Sequence, residues 1–328
     1  MKKGSVFILL MLFLAASIVA GIFTGGAPVE PGLIFDSLMH PLRQGTTHTL
    51  IWELRLPRIL MAALVGAALA QCGVTFQAIL RNPLAEPYTL GVSGGGALGA
   101  TVSIICGISG FPMVVICFAG CIASISVVLG VASVKNFTNS MLILTGVIMS
   151  FLFSSIVMFI FAVASSRDVY ASVLWLMGSL AAPDSSSIRI MLFLVVPLML
   201  ILWGFAKDMN VLSLGDEKTY HLGLDAKKAK SSLLIAASLI TGACVAATGI
   251  IGFIGLMIPH LMRKAVGADH HYLLPSSMLA GASFLIVCDC ISQTLIRPLE
   301  LPVGVITGMM GGIFFIVYLI RVKPTEVM

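Results

Sequence analysis

Long apolar runs separated by short polar stretches organise the whole chain. Runs of roughly 20 residues occupy 5–23, 59–79, 89–108, 112–134, 141–164, 188–206, 273–296 and 303–320. Each can cross the ~30 Å apolar core of a bilayer as a helix. None shows the alternation of a lipid-facing β-strand. The stretch from Ser231 to Met262 fits neither one span nor two, since about 32 residues make about 48 Å of helix. Its second half, TGIIGFIGLMIPHLMRK (248–264), predicts a division. One segment covers about 231–247 and a shorter returning helix covers about 253–264, with Gly249, Gly252 and Gly255 making the bend. Irregular backbone at membrane depth is tolerated only inside protein or beside a water-filled cavity, so the bend points to a pathway. Glycines serving helix packing alone are the alternative.

Composition agrees: 59% of residues are hydrophobic and 10% charged, against about 25% charged in soluble domains. Charge then orients the spans. The lysines are Lys2, Lys3, Lys135, Lys207, Lys218, Lys227, Lys228, Lys230, Lys264 and Lys323. With the N-terminus inside and 248–264 returning, every lysine falls on the cytoplasmic side, as the positive-inside rule favours. The first run is longer than the ~7–15 residues of a signal-peptide core and lacks an A-x-A site, so it reads as an uncleaved span. The expectation is an all-α polytopic membrane protein of ten transmembrane segments, both termini cytoplasmic, forming one domain over 1–328. The exterior then carries Arg43, Arg55, Arg58, Arg167, Arg189 and Arg297 but no lysine. Arginine forks suit an acidic partner or anionic ligand; scattered interfacial anchors are the other reading. The stretch 167–184 is amphiphilic and predicts a short helix on the outer surface.

Candidate chemistry is sparse. There is no G-x-x-x-x-G-K-[ST] phosphate loop and no H-E-x-x-H. The seven cysteines lie in apolar runs without metal-type spacing, as small buried hydrophobes do. Gly94, Gly95, Gly96 and Gly99 lack a basic partner and suit close helix contact. Asp289 is the one ionisable residue deep within a run, a functional candidate or a carboxyl bonded to a neighbouring helix. No catalytic residue, metal site or nucleic-acid site is expected.

Three stretches resemble the FecCD-type permeases, membrane subunits of ATP-binding-cassette importers for ferric siderophores, haem and vitamin B12. They are WELRLPRILMAALVGAALAQCGVTFQAILRNPLAEPYTLGVSGGGALGA (52–100), GIIGFIGLMIPHLMR (249–263) and ELPVGVITGMMGGIFF (300–315). The resemblance runs nearly end to end. It implies a dimer of permease subunits, foremost a homodimer, in the cytoplasmic membrane. Two cytoplasmic ATPase subunits would bind the ATP, with no cofactor in this chain, and an external substrate-binding protein would deliver the chelate.

The resemblance also assigns residues. Arg55 and Arg58 match arginines that meet the binding protein. Gln293 stands where a third is usual, and Arg297, four residues on, could substitute. Gly215, Asp216, Glu217, Leu222 and Gly223 match the segment that seats in the ATPase; on the residues alone this is a solvated amphipathic loop. Asn139 and Ser140 match the cytoplasmic gate, and could equally cap the fifth span. Ferric siderophore is the first expectation for the substrate, with corrinoid or haem as alternatives. An ion-coupled carrier would need intramembrane charges beyond Asp289.

Overall fold

The structure, a computed structural model, describes residues 3–40, 45–134, 138–181 and 185–321. Lys2, Arg43, Lys135, Lys323 and the end of the stretch 167–184 lie outside them. The described chain is helical: α1 (Lys3–Phe23), α2 (Pro31–Met39), α3 (Thr46–Thr49), α4 (Leu56–Leu80), α5 (Val92–Ile105), α6 (Phe111–Val134), α7 (Asn139–Val163), α8 (Ser166–Leu176), α9 (Ser185–Gly204), α10 (Ala206–Leu212), α11 (Asp216–His221), α12 (Ala226–Thr248), α13 (Ile254–Val266), α14 (His270–Thr294) and α15 (Val303–Arg321). A π-helical turn, Leu50–Arg55, fuses α3 to α4, making one 35-residue helix. Among the described residues, eight helices are long and apolar enough to cross a membrane.

Buried small residues place α4 at the centre. A Cβ on Gly66 would strike the Gly281 carbonyl of α14, and one on Gly73 would strike Gly255 of α13. These helices approach backbone to backbone, where van der Waals packing replaces the missing hydrophobic drive. Gly95 meets Gly120 across α5 and α6 in the same way, as expected for the glycines of 94–99.

Side-chain contacts define two faces. The Lys3 ammonium lies 3.8 Å from the Tyr272 ring centre and that of Lys264 4.2 Å from Tyr318. Arg263 donates to Gln77 Oε1 at 3.0 Å. The start of α1 and the ends of α4, α13 and α15 therefore share a basic face. Lys230, at the start of α12, lies on it too, through its bonds to Asp216 and Asn139. So α12 leaves this face and α13 returns to it. Arg55, Arg58, Asp289 and Glu300 mark the opposite, arginine-bearing face.

The bend differs from expectation in detail. Its positive-φ residues are Gly249 (φ 70°) and Phe253 (φ 68°). Gly249 lies against the Trp175 carbonyl and Gly304 against those of Met177 and Ile250. Gly255 is inside α13, where absence of a side chain admits Gly73, Leu69 and Pro87. It is a packing glycine, so both readings hold, at different residues.

The run 89–108 also needs correction as a continuous span. Its helix, α5, has 14 residues, about 21 Å. A 3-10 turn (Pro87–Leu90) and Gly91 (φ 74°) precede it. Gly107 (φ 70°) follows it. The 3-10 turn packs on the α12–α13 bend. Tyr88 Oη donates to the Ile251 carbonyl at 2.9 Å and accepts from the Ile251 amide at 3.3 Å. The Glu86 carboxylate accepts from the Phe253 amide. Side chains of one irregular segment thus satisfy backbone groups of the other inside the protein, as membrane depth requires. The amphiphilic stretch forms α8, with Ser165 as its N-cap accepting from the Asp168 amide at 3.2 Å.

Candidate functional site

On the arginine-bearing face, α4 brings Arg55 and Arg58 toward the last turns of α14. Three residues apart, they share one helical side. Arg58 forks onto Asp289, with Nε 2.9 Å from Oδ2 and Nη2 3.0 Å from Oδ1. Its Nη1 donates to Glu300 Oε2 at 2.7 Å. Gln293 Nε2 donates to Asp289 Oδ2 at 2.7 Å. Asp289 is thus an ion-paired residue near the C-terminal end of α14. One arginine ties α4, α14 and the start of the α15 connection together.

Arg55 is 6% exposed. Its Nη1 donates to the Ile22 carbonyl at 2.6 Å and Nη2 to that of Ala27 at 2.7 Å. Gly25 and Gly26 make room: a Cβ on either would lie 2.9 Å from the Arg55 guanidinium or from Glu300. Arg297 is exposed beyond the end of α14. A cavity of about 280 Å³ opens here between Arg55, Arg58, Gln293 and Glu300. Arg58 and Arg55 are joined in one site with Gln293, while Arg297 stands at its edge.

On the basic face, Gly215 (φ 106°) and Gly223 (φ 79°) bracket the six-residue α11. Asp216 and Glu217 occupy its first turn, where carboxylates complement the helix dipole. Leu222 is 61% exposed, an apolar side chain offered to solvent or a partner. Asn139 and Ser140 begin α7, and Thr138 is the N-cap, without a side-chain cap bond. The capping reading of Asn139 gives way to another: its Nδ2 donates to the Leu80 carbonyl at the end of α4, 3.0 Å away. Ser140 is exposed.

Sequence reading used Lys230 only for topology and did not single out Arg81, Tyr88 or Glu300. Lys230 is 2% exposed. Its Nζ lies 2.8 Å from Asp216 Oδ1, 3.0 Å from Oδ2 and 3.2 Å from Asn139 Oδ1. Arg81, left-handed at the end of α4 (φ 50°), adds a 3.4 Å ion pair to Asp216. One buried lysine therefore bridges the expected coupling segment and the expected gate. Beside them a cavity of about 550 Å³ is lined by Arg81, Asn82, Asn210, Arg263 and Asp269. Among the described residues no cluster of His, Cys, Asp or Glu could hold a metal ion.

An all-helical bundle of long apolar helices, with two short helices meeting at an internal seam and polar clusters at its two faces, defines a membrane-embedded permease. The model of the FecCD transport family matches residues 10–321, and the chain belongs to that family. It is an ATP-binding-cassette importer permease, a multi-pass membrane subunit that works with other subunits and is not itself an enzyme. The Fe(3+) dicitrate transport system permease protein of Escherichia coli is 36% identical, covering 98% of this chain and 100% of its own. The hemin transport system permease protein of Yersinia pestis is 36% identical over 83% of each. A solved structure described as an inward-facing conformation of a metal-chelate type ABC transporter superposes with a TM-score of 0.86 at 30% identity, covering 98% of this chain and 100% of that one.

Proposed function

We propose that this chain moves a ferric chelate of the siderophore class inward across the cytoplasmic membrane, as one half of a permease homodimer. The likeness to the ferric dicitrate permease, which extends over the whole of that protein, supports the ferric chelate; the hemin permease, and a cobalamin permease 37% identical over 92% of this chain, support the other two ligands. Haem and corrinoid are the alternatives. The proposed topology has ten crossings, the eight long helices plus the short α5 and α13. The basic face, bearing Lys3 and Arg321, is cytoplasmic in this reading.

In the same reading a single permease domain seats an ATPase subunit on α10–α11, with Gly215, Asp216, Glu217, Leu222 and Gly223 at the contact. ATP binds there, in the partner, and no cofactor binds in this chain. Asn139 and Ser140 stand at the cytoplasmic gate. The external binding protein docks on the opposite face, where Arg297 is free to meet a carboxylate while Arg55 and Arg58 hold the rim in shape. Uptake by proteoliposomes carrying the chain with its ATPase and binding protein tests this. Radiolabelled ferric siderophore, haemin and cyanocobalamin are offered separately, with and without ATP. ATP-dependent accumulation of the ferric siderophore is the expected result; accumulation of one of the others instead reassigns the substrate.

A further inference from the structure

We propose that Lys230 is a positioning residue that transmits movement of the ATPase-facing helix α11 to the start of α7. This rests on the permease reading above and adds to it the element that joins seat to gate. An ammonium has three donors, and Lys230 has three acceptors: both Asp216 oxygens, at 2.8 and 3.0 Å, and Asn139 Oδ1, at 3.2 Å. Its partners belong to different elements, α11 and α7, while Lys230 itself belongs to α12. Asn139 extends the chain to α4 by donating to the Leu80 carbonyl.

The charge is 2% exposed, and a buried ammonium left unpaired is strongly disfavoured. A shift of α11 must therefore carry Lys230 and Asn139 with it or strand the charge. The glycines bracketing α11 have positive φ, a conformation only glycine adopts freely, so sharp turns set the helix apart from α10 and α12. Arg81 holds the exposed side of Asp216 without reaching α7, and so steadies the pair. Lys230 bridges carboxylate and amide here, and in the relay a displaced α11 leaves it with only one of them.

The test uses the full complex, with its ATPase subunit, in proteoliposomes. The reporter is Thr138→Cys at the exposed N-cap of α7, in a background with Cys106, the exposed native cysteine, changed to serine. Maleimide labelling rates are compared without nucleotide and after vanadate trapping with ATP, and ATP hydrolysis is read in parallel. With Lys230 present, trapping changes the labelling rate. In Lys230→Met, hydrolysis persists while the trapping-dependent change is lost. Lys230→Arg retains it. A trapping-dependent change that survives in Lys230→Met overturns the proposal. Should Lys230→Met fail to assemble, Asn139→Ala decides, because it leaves the Lys230–Asp216 pair intact: loss of the change with hydrolysis retained supports the relay, and its survival overturns it. Absence of hydrolysis and of any trapping effect with Lys230 present would overturn the ATPase-driven reading, and the relay with it.

Discussion

Arg58 has two carboxylate partners, and the structure ranks them. Asp289 has a 4% exposed side chain and receives a forked pair of bonds, whereas Glu300 is 40% exposed and receives one. Replacing one member of a buried pair costs about 3–5 kcal/mol, because the other charge is stranded. In Asp289→Leu, Arg58 keeps Glu300, so the expected loss falls to about 2–3 kcal/mol. Gln293 also loses its acceptor at 2.7 Å. Glu300→Gln removes an exposed partner and leaves the fork, so it should cost less than about 1 kcal/mol. The double variant Arg58→Met/Asp289→Leu removes both charges and should recover most of the loss in Asp289→Leu, since apolar pairs of similar volume often replace a buried ion pair without penalty.

Equilibrium unfolding in mixed detergent–SDS micelles, followed by the fluorescence of the three tryptophans, measures these differences. The double-mutant cycle isolates the pair from the packing changes. A cost for Glu300→Gln equal to that for Asp289→Leu would refute the ranking. A double variant at least as unstable as the sum of its singles would refute the pair as the source of the effect.

Other expectations follow from single contacts. Gly73→Val should prevent stable folding, because its Cβ would occupy the Gly255 backbone; detergent-stable yield reads it, and Gly130→Val, with open space around it, should be tolerated. Ala265→Cys, exposed near the end of α13, should react with impermeant maleimide from the same side as Lys218→Cys in a Cys106→Ser background; labelling from opposite sides would refute the returning helix. Asp269 accepts from Asn210 and from the His271 amide, which hold its carboxyl below the usual range. A depressed folded value contributes stability above the unfolded value that is lost as pH falls through the folded one. Asp269→Asn, which keeps an N-cap acceptor, should therefore show a shallower fall in melting temperature on acidification than the parent.

The fold was largely legible because a bilayer imposes one requirement on every span: enough apolar length with its backbone bonds made internally. Lysine placement then divided the overlong 231–262 run, and the division at 248–254 lies where α12 ends and α13 begins. The reading failed at 89–108 because hydropathy does not see backbone conformation. Thr89, Leu90 and Gly91 are apolar enough to extend a helix, yet Thr89 and Leu90 end a 3-10 turn and Gly91 is left-handed, and the turn is anchored by Tyr88 on Ile251, 163 residues away. Phe253 shows the same limit: its left-handed backbone is one a sequence assigns to the neighbouring glycines.

Polar sites were legible as residues but not as partnerships. Two arginines three apart on α4 announce a cationic face, but only the folded chain shows Arg55 spent on the Ile22 and Ala27 carbonyls and Arg58 on Asp289. Lys230 was harder still. In a run with Lys227 and Lys228 it reads as one more solvated cation, and Lys228 does pair locally, with Asp225, while 86% exposed. Two residues on, helical rotation turns the next lysine inward, where it must find acceptors or cost several kcal/mol. It finds them 14 and 91 positions away along the chain. A charge whose partners come from two separate elements reports on their relative position. That makes Lys230, rather than the exposed residues of the same loop, the place where a change in α11 is felt by α7.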